Sequence, residues 1–240
     1  MGVYLNSPSA YTLYKNETEK PYFVDKSLML KELFPLVREG NNHICITRPR
    51  RFGKTVIANM IASFFSRGCN SNDIFQSLNI SKDPEYKRYQ NQFPVIHISL
   101  NELPRKCSSY EEYIDRIEKR LIRDLQREYP DIPVDKEEAV WDVLTDIYTV
   151  DTTARFVFVL DEWDFIFHQS FITEADEKAY LSFLRNMLKD QPYVLFTYMT
   201  GILPIAKYSS GSERWLQKNV FLRILVLPKK KLTCSMKDTF

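Results

Sequence analysis

Gly53-Lys54-Thr55 stands between a short apolar run, His43-Ile44-Cys45-Ile46-Thr47, and a helical pattern, Val56-Ile57-Ala58-Asn59-Met60-Ile61-Ala62. A nucleoside triphosphate requires a turn whose N–H groups wrap phosphate oxygens, an ammonium for the terminal phosphates and a hydroxyl for Mg²⁺; these three residues supply them. On that reading Lys54 contacts the β- and γ-phosphates, Thr55 takes the metal, and the helix beginning near Gly53 turns its positive end on the anion. The upstream half departs from the pattern G-x-x-x-x-G-K-[ST]. Arg48 occupies the first glycine position, and Pro49, Arg50, Arg51 and Phe52 fill the interval. Three guanidinium groups there can clamp phosphate bidentately, reach a neighbouring subunit's nucleotide or hold a nucleic-acid backbone. A solvated basic loop is the plain alternative.

A second set of residues carries the complementary charge. Phe156-Val157-Phe158-Val159-Leu160 is apolar throughout and ends in Asp161-Glu162. A carboxylate at the carboxyl end of a buried parallel strand opens into the crevice where α/β sheets bind ligands, so Asp161 can hold the Mg²⁺ hydration shell. Glu162 is then placed to polarise an attacking water, with Asp164 able to support either role; Trp163 and Phe165 between and beside the acids read as packing. The bland alternative is an acidic loop or helix start. Thr200-Gly201 ends the next apolar run, where the Thr200 hydroxyl can reach a γ-phosphate or the water, or can cap the following helix.

The elements that must position these groups are legible as alternation. Strand patterns at His43–Thr47, Phe93–Leu100, Phe156–Leu160 and Tyr193–Gly201 are separated by helical patterns, the signature of an α/β sheet. Helices are expected over Tyr110–Tyr129, with an apolar stripe through Tyr113, Ile117, Leu121 and Leu125, over Lys136–Tyr148, and from about Glu174 to Asp190. One more candidate strand, Val220–Leu227, precedes the run Lys229-Lys230-Lys231, which reads as solvated chain.

Composition narrows the classes. The 240 residues are 44% hydrophobic and 27% charged, ordinary for a globular protein with one sizeable α/β domain. No window reaches the roughly 18 uninterrupted apolar residues of a membrane span, and the start of the sequence has neither a secretory nor a myristoylation pattern. A cytoplasmic protein without a membrane partner is expected. Cys45, Cys69, Cys107 and Cys234 lie far apart, as do His43, His97 and His168, which argues against a disulfide framework or a protein-built transition-metal site. A net charge of +2 does not by itself imply a nucleic-acid partner, so any basic footprint must be local.

Tyr22-Phe23-Val24-Asp25-Lys26-Ser27, Arg48-Pro49-Arg50-Arg51-Phe52-Gly53-Lys54-Thr55, Pro94-Val95-Ile96-His97, Leu160-Asp161-Glu162-Trp163-Asp164 and Thr200-Gly201 together resemble the bacterial AAA-ATPase-like family. Its phosphate loop typically reads R-P-R-R-F-G-K-[ST], so the resemblance makes Arg48 a mark of the loop and not damage to it. The likeness runs from about Val3 to Ala206. It implies a P-loop NTPase three-layer sandwich with a mostly parallel sheet of about five strands, the additional strand lying between the phosphate-loop and Asp-Glu strands. It further implies ATP with Mg²⁺, the loop residues 48–55 binding nucleotide, Thr55 and Asp161 on the metal, and Glu162 with Thr200 at the reacting water. ATP over GTP rests on the resemblance, since no N-K-x-D guanine motif is present.

The domain is expected over 1–208. Family members are typically longer, with a nuclease-like C-terminal domain, whereas 209–240 departs from the pattern and reads as an atypical, truncated or divergent tail. Three functions follow: a Mg²⁺-dependent ATPase module, a nucleotide-dependent switch without hydrolysis, or a nucleic-acid-binding module using the arginine loop. A homo-oligomer or a protein partner fits the first two.

Overall fold

A computed structural model describes residues 2–134 and 138–202. The candidate strand Val220–Leu227 and the tail from 209 lie outside them. Four strands form the sheet: β1 (Asn42–Thr47), β2 (Val95–Ser99), β3 (Phe156–Asp161) and β4 (Val194–Gly201). All pairings are parallel, in the order β1-β4-β3-β2. The additional strand thus lies where the family resemblance implies, as β4 between β1 and β3. The described residues hold four strands against the expected five.

Helices cover both faces: α1 (Pro8–Thr18), α2 (Phe34–Glu39), α3 (Lys54–Phe65), α4 (Asn72–Phe75), α5 (Tyr86–Tyr89), α6 (Tyr110–Glu128), α7 (Val140–Val150) and α8 (Glu174–Leu188). Short 3₁₀ segments occupy Ser27–Leu33, Asn79–Lys82 and Phe165–His168. A strand points alternate side chains to opposite faces. Along β3, Phe156, Phe158 and Leu160 join the core beneath α6, α7 and α8, while Val157 and Val159 join the core around α1, α2 and α3. All six β3 residues are buried, which explains the unbroken apolar run.

The same alternation decides the site. Counting two residues at a time, Val157 and Val159 lead to Asp161 on the α3 face, and Phe196 and Tyr198, also in that core, lead to Thr200. Helix α3 is held against this face by Ile57, Ile61, Phe64 and Phe65, each of which contributes about 1.5–3 kcal/mol on full burial. Phe64 stacks on Phe34 and meets Phe65 and Phe75 edge-on, so the far end of α3 is clamped by aromatic contacts. A helix fixed at its C-terminal end holds its N-terminus over the sheet.

Several elements escape the sequence reading. Helix α1 begins at Pro8 behind an N-cap at Ser7, whose Oγ accepts from Ser9 N at 3.3 Å. Residues before it run beside β2: His97 N donates to Tyr4 O at 2.9 Å, and Asn6 N to Val95 O at 2.8 Å. Asp124 of α6 is 2% exposed; it accepts from Tyr4 N at 2.7 Å and Leu5 N at 3.3 Å. That carboxylate ties the entering chain to α6. Helix α7 begins at Val140, and residues 135–137, where its start was expected, lie outside the described ones.

His97 pairs with Val159 across β2 and β3. Burial pulls its imidazole down from 6.5 to about 4, with the charge of Asp161 acting the other way. The neutral ring is therefore the form the fold prefers. Between those values the unfolded chain binds a proton that the folded chain does not, so the contribution is complete above pH 6.5 and lost as pH falls to about 4. At about 1.4 kcal/mol per unit that amounts to about 3 kcal/mol. Denaturant unfolding across this window should lose stability less steeply in His97→Phe than in the parent; equal slopes would contradict the assignment.

Candidate functional site

The phosphate-loop candidate leaves the carboxyl end of β1 and closes into α3 through two left-handed residues, Arg51 at φ 69° and Gly53 at φ 73°. Gly53 is the N-cap of α3 and gives its first-turn N–H groups no side-chain acceptor. A Cβ added to Gly53 would meet nothing within 4 Å, so this glycine is required by its backbone angle and leaves the approach to the helix start open. Lys54 is 8% exposed despite its charge. Its Nζ donates to Arg48 O at 2.9 Å and Pro49 O at 3.1 Å, which curls the loop around the ammonium.

Around this core the remaining loop residues face outward. Pro49, Arg50 and Arg51 are exposed, Phe52 is 60% exposed, and Thr55 is exposed on the first turn of α3. Arg48 is half-buried, and its backbone N donates to Gly201 O at 3.1 Å. The loop is thereby fastened to the end of β4.

The acidic half forms one hydrogen-bonded group. Asp161 is 1% exposed and Thr200 is fully buried; Thr200 Oγ1 donates to Asp161 Oδ1. The same Oγ1 accepts from Glu162 N at 3.2 Å, and Trp163 N donates to Thr200 O at 2.9 Å. One threonine therefore fixes three successive residues of the Asp-Glu segment. Glu162 itself adopts φ 55°, a left-handed conformation that costs a non-glycine residue about 1–2 kcal/mol. Its Oε2 accepts from Asn101 Nδ2 at 2.9 Å.

Asn101 is the residue that sequence reasoning missed. It lies just beyond the end of β2, and its position follows from the pairing of Ser99 with Asp161, which brings the two strand ends side by side. A lone asparagine after a strand gives no signal until the strand order is known. Of the residues singled out in the sequence, the structure joins Asp161, Glu162 and Thr200 directly and Lys54 to Arg48 and Pro49. The bond from Arg48 to Gly201 links the two groups.

Below this edge the surroundings are apolar. Tyr198, on the Asp161 face, has its hydroxyl raised by burial and then by the Asp161 charge. Burial pushes the Cys45 thiol up to about 12, with Asp164 adding to the effect, so this cysteine is no nucleophile at neutral pH. Trp163 is fully buried and packs edge-on against Phe167, in keeping with a packing role. Asp164 is 2% exposed and accepts from Ile202 N at 2.8 Å, holding the chain as it leaves β4. The Thr55 hydroxyl and the Asp161 carboxylate are hard oxygens of the kind Mg²⁺ selects.

Gly201 is dictated by contact. An added Cβ would lie 2.4 Å from Trp163 Nε1 and 2.8 Å from Asp164 Oδ1. Gly201→Ala should cost about 1–3 kcal/mol in thermal unfolding, and the loss should shrink when Trp163→Phe is introduced in the same chain. An equal loss in both backgrounds would refute the contact as its cause.

No curated protein and no solved structure matches this chain. Among the described residues no helix is long and apolar enough to cross a membrane. The profile of the AAA-ATPase-like family, described as a predicted AAA-ATPase, matches residues 12–210, spanning the phosphate loop, the Asp-Glu strand and Thr200. With that match, and with a parallel sheet whose added strand separates the two motifs, the chain belongs to the AAA-ATPase-like family.

Proposed function

We propose that the chain is a Mg²⁺-dependent ATPase module in which the 48–55 loop binds the triphosphate and Glu162 activates water. The observation that carries this reading is that a left-handed Gly53, a buried Lys54 and the Asp161-Thr200-Glu162 group all follow the carboxyl ends of neighbouring parallel strands, joined by Arg48 N to Gly201 O. Family membership supports nucleotide binding. The finer roles are inferred from chemistry.

Lys54 exchanges its two carbonyl partners for phosphate oxygens, and the first-turn N–H groups of α3 donate to the same anion. Mg²⁺, held by Thr55 and by Asp161 through its hydration shell, would neutralise charge on the β- and γ-phosphates. Glu162, at the mouth of the site, accepts a proton from water. Asn101 restrains the Glu162 carboxylate, and Thr200 holds the backbone that carries it. Domain limits of 1–208 belong to the same proposal.

Lys54→Ala should weaken ATP binding by about tenfold or more in calorimetric titration, the size of a lost charge-assisted bond. Glu162→Gln should keep ATP affinity and lower steady phosphate release by about a hundredfold. Binding unchanged in Lys54→Ala would overturn the loop assignment. Binding by the parent without turnover would reduce the module to a nucleotide-dependent switch.

Asn101→Ala is expected to leave ATP affinity within about twofold and to lower turnover by about tenfold, through looser placement of Glu162. Recovery of turnover in Asn101→Gln would support positioning through the amide. A variant with parental turnover would remove Asn101 from the mechanism.

A further inference from the structure

A cavity of about 190 Å³ lies between α1, the segment carrying Tyr22, Phe23 and Val24, and the face of α3 that presents Val56, Ile57 and Met60. Gly53 belongs to its wall. The cavity therefore begins where the phosphate loop ends and follows α3 from Gly53 to Met60, about 10 Å at 1.5 Å per residue. Pockets that enclose a whole drug-sized ligand measure roughly 300–1,000 Å³. This one is smaller, with room for a ring system and not for a whole ligand of that size.

Its walls suit a planar aromatic ring. Tyr14 is 1% exposed, stacked on Phe75 at 5.5 Å between centroids and edge-on to Phe23 at 6.3 Å, so its ring cannot turn freely. Its buried Oη has no hydrogen-bond partner among the described residues, and Tyr14 lines the cavity. A buried hydroxyl without a partner is costly, whereas one that meets a ring nitrogen or an exocyclic amine is satisfied, since it can donate or accept. Tyr22, 74% exposed, and Val24, 61% exposed, stand at the cavity as large apolar side chains in water. Glu17 and Lys26 add one carboxylate and one ammonium to the lining, with Glu17 also paired to Lys20. Aromatic surface, a few convergent polar groups and continuity with an anion site are the marks of a nucleobase pocket.

We propose that this cavity takes the base of the nucleoside triphosphate whose phosphates lie on the 48–55 loop, with Tyr22 covering the ring and Tyr14 Oη hydrogen-bonding to its edge. The proposal rests on the phosphate-loop reading above and adds to it the site of base recognition. The N-terminal segment from Tyr14 to Lys26, which carries no phosphate-binding motif, thereby becomes part of the ligand site.

The test compares ATP with inorganic tripolyphosphate, which has the phosphates and no base, by calorimetric titration of the full chain in the presence of Mg²⁺. The parent should bind ATP at least about tenfold more tightly than tripolyphosphate, the weight of one stacked base. Tyr22→Ala and Tyr14→Phe should each weaken ATP by about threefold to tenfold or more and leave tripolyphosphate unchanged, which also shows that both variants fold. Equal affinity of the parent for the two ligands would overturn the proposal, as would variants that lose both ligands alike or neither. Those results leave the phosphate-loop reading intact. A parent that binds neither ligand would end both.

Discussion

The Thr200 hydroxyl is the junction on which the site depends. It donates to Asp161 and accepts from the backbone of Glu162, so the last residue of β3 and the first residue after it are both referred to β4. That double contact, with Phe165 N donating to Glu162 O at 3.0 Å, holds Glu162 in a left-handed conformation that a side-chain-bearing residue resists. The strain is sustained because β4 is wholly buried and paired on both sides, to β1 and to β3. A threonine on an edge strand would lack the second neighbour.

From this junction the rest of the arrangement follows. β4 must lie between β1 and β3 for one strand end to touch both the phosphate loop, through Gly201 and Arg48, and the carboxylates, through Thr200. Gly201 must be glycine because Trp163 and Asp164 occupy the space beside it. Helix α3 must sit over the Asp161 face, and its aromatic contacts at Phe64 and Phe65 secure that. The ordering of strands therefore carries chemical information that no single motif contains.

The strands were legible because burial on both faces leaves little choice of residue: each lies within about two residues of its apolar run. The candidate site was legible for the same reason in part, since Gly53-Lys54-Thr55 and Asp161-Glu162 sit at ends of those runs. Two kinds of feature were hidden. Helix α1 and the 3₁₀ turn at Ser27–Leu33 mix polar and apolar residues without a clean period, and their burial arises from contacts with α3 and the Asn79–Lys82 turn. Asn101, Asp124 and Tyr14 take their roles from partners more than 50 residues away, which a linear reading cannot pair.

The central claim is that the carboxyl ends of neighbouring parallel strands combine a phosphate cradle with a carboxylate pair able to activate water. Titration of the 240-residue chain with ATP, with and without Mg²⁺, together with phosphate release on the same sample, tests it most directly. The account predicts saturable ATP binding that Mg²⁺ strengthens, and phosphate release that depends on the metal. Absence of ATP binding in the presence of Mg²⁺ by the folded chain would contradict it.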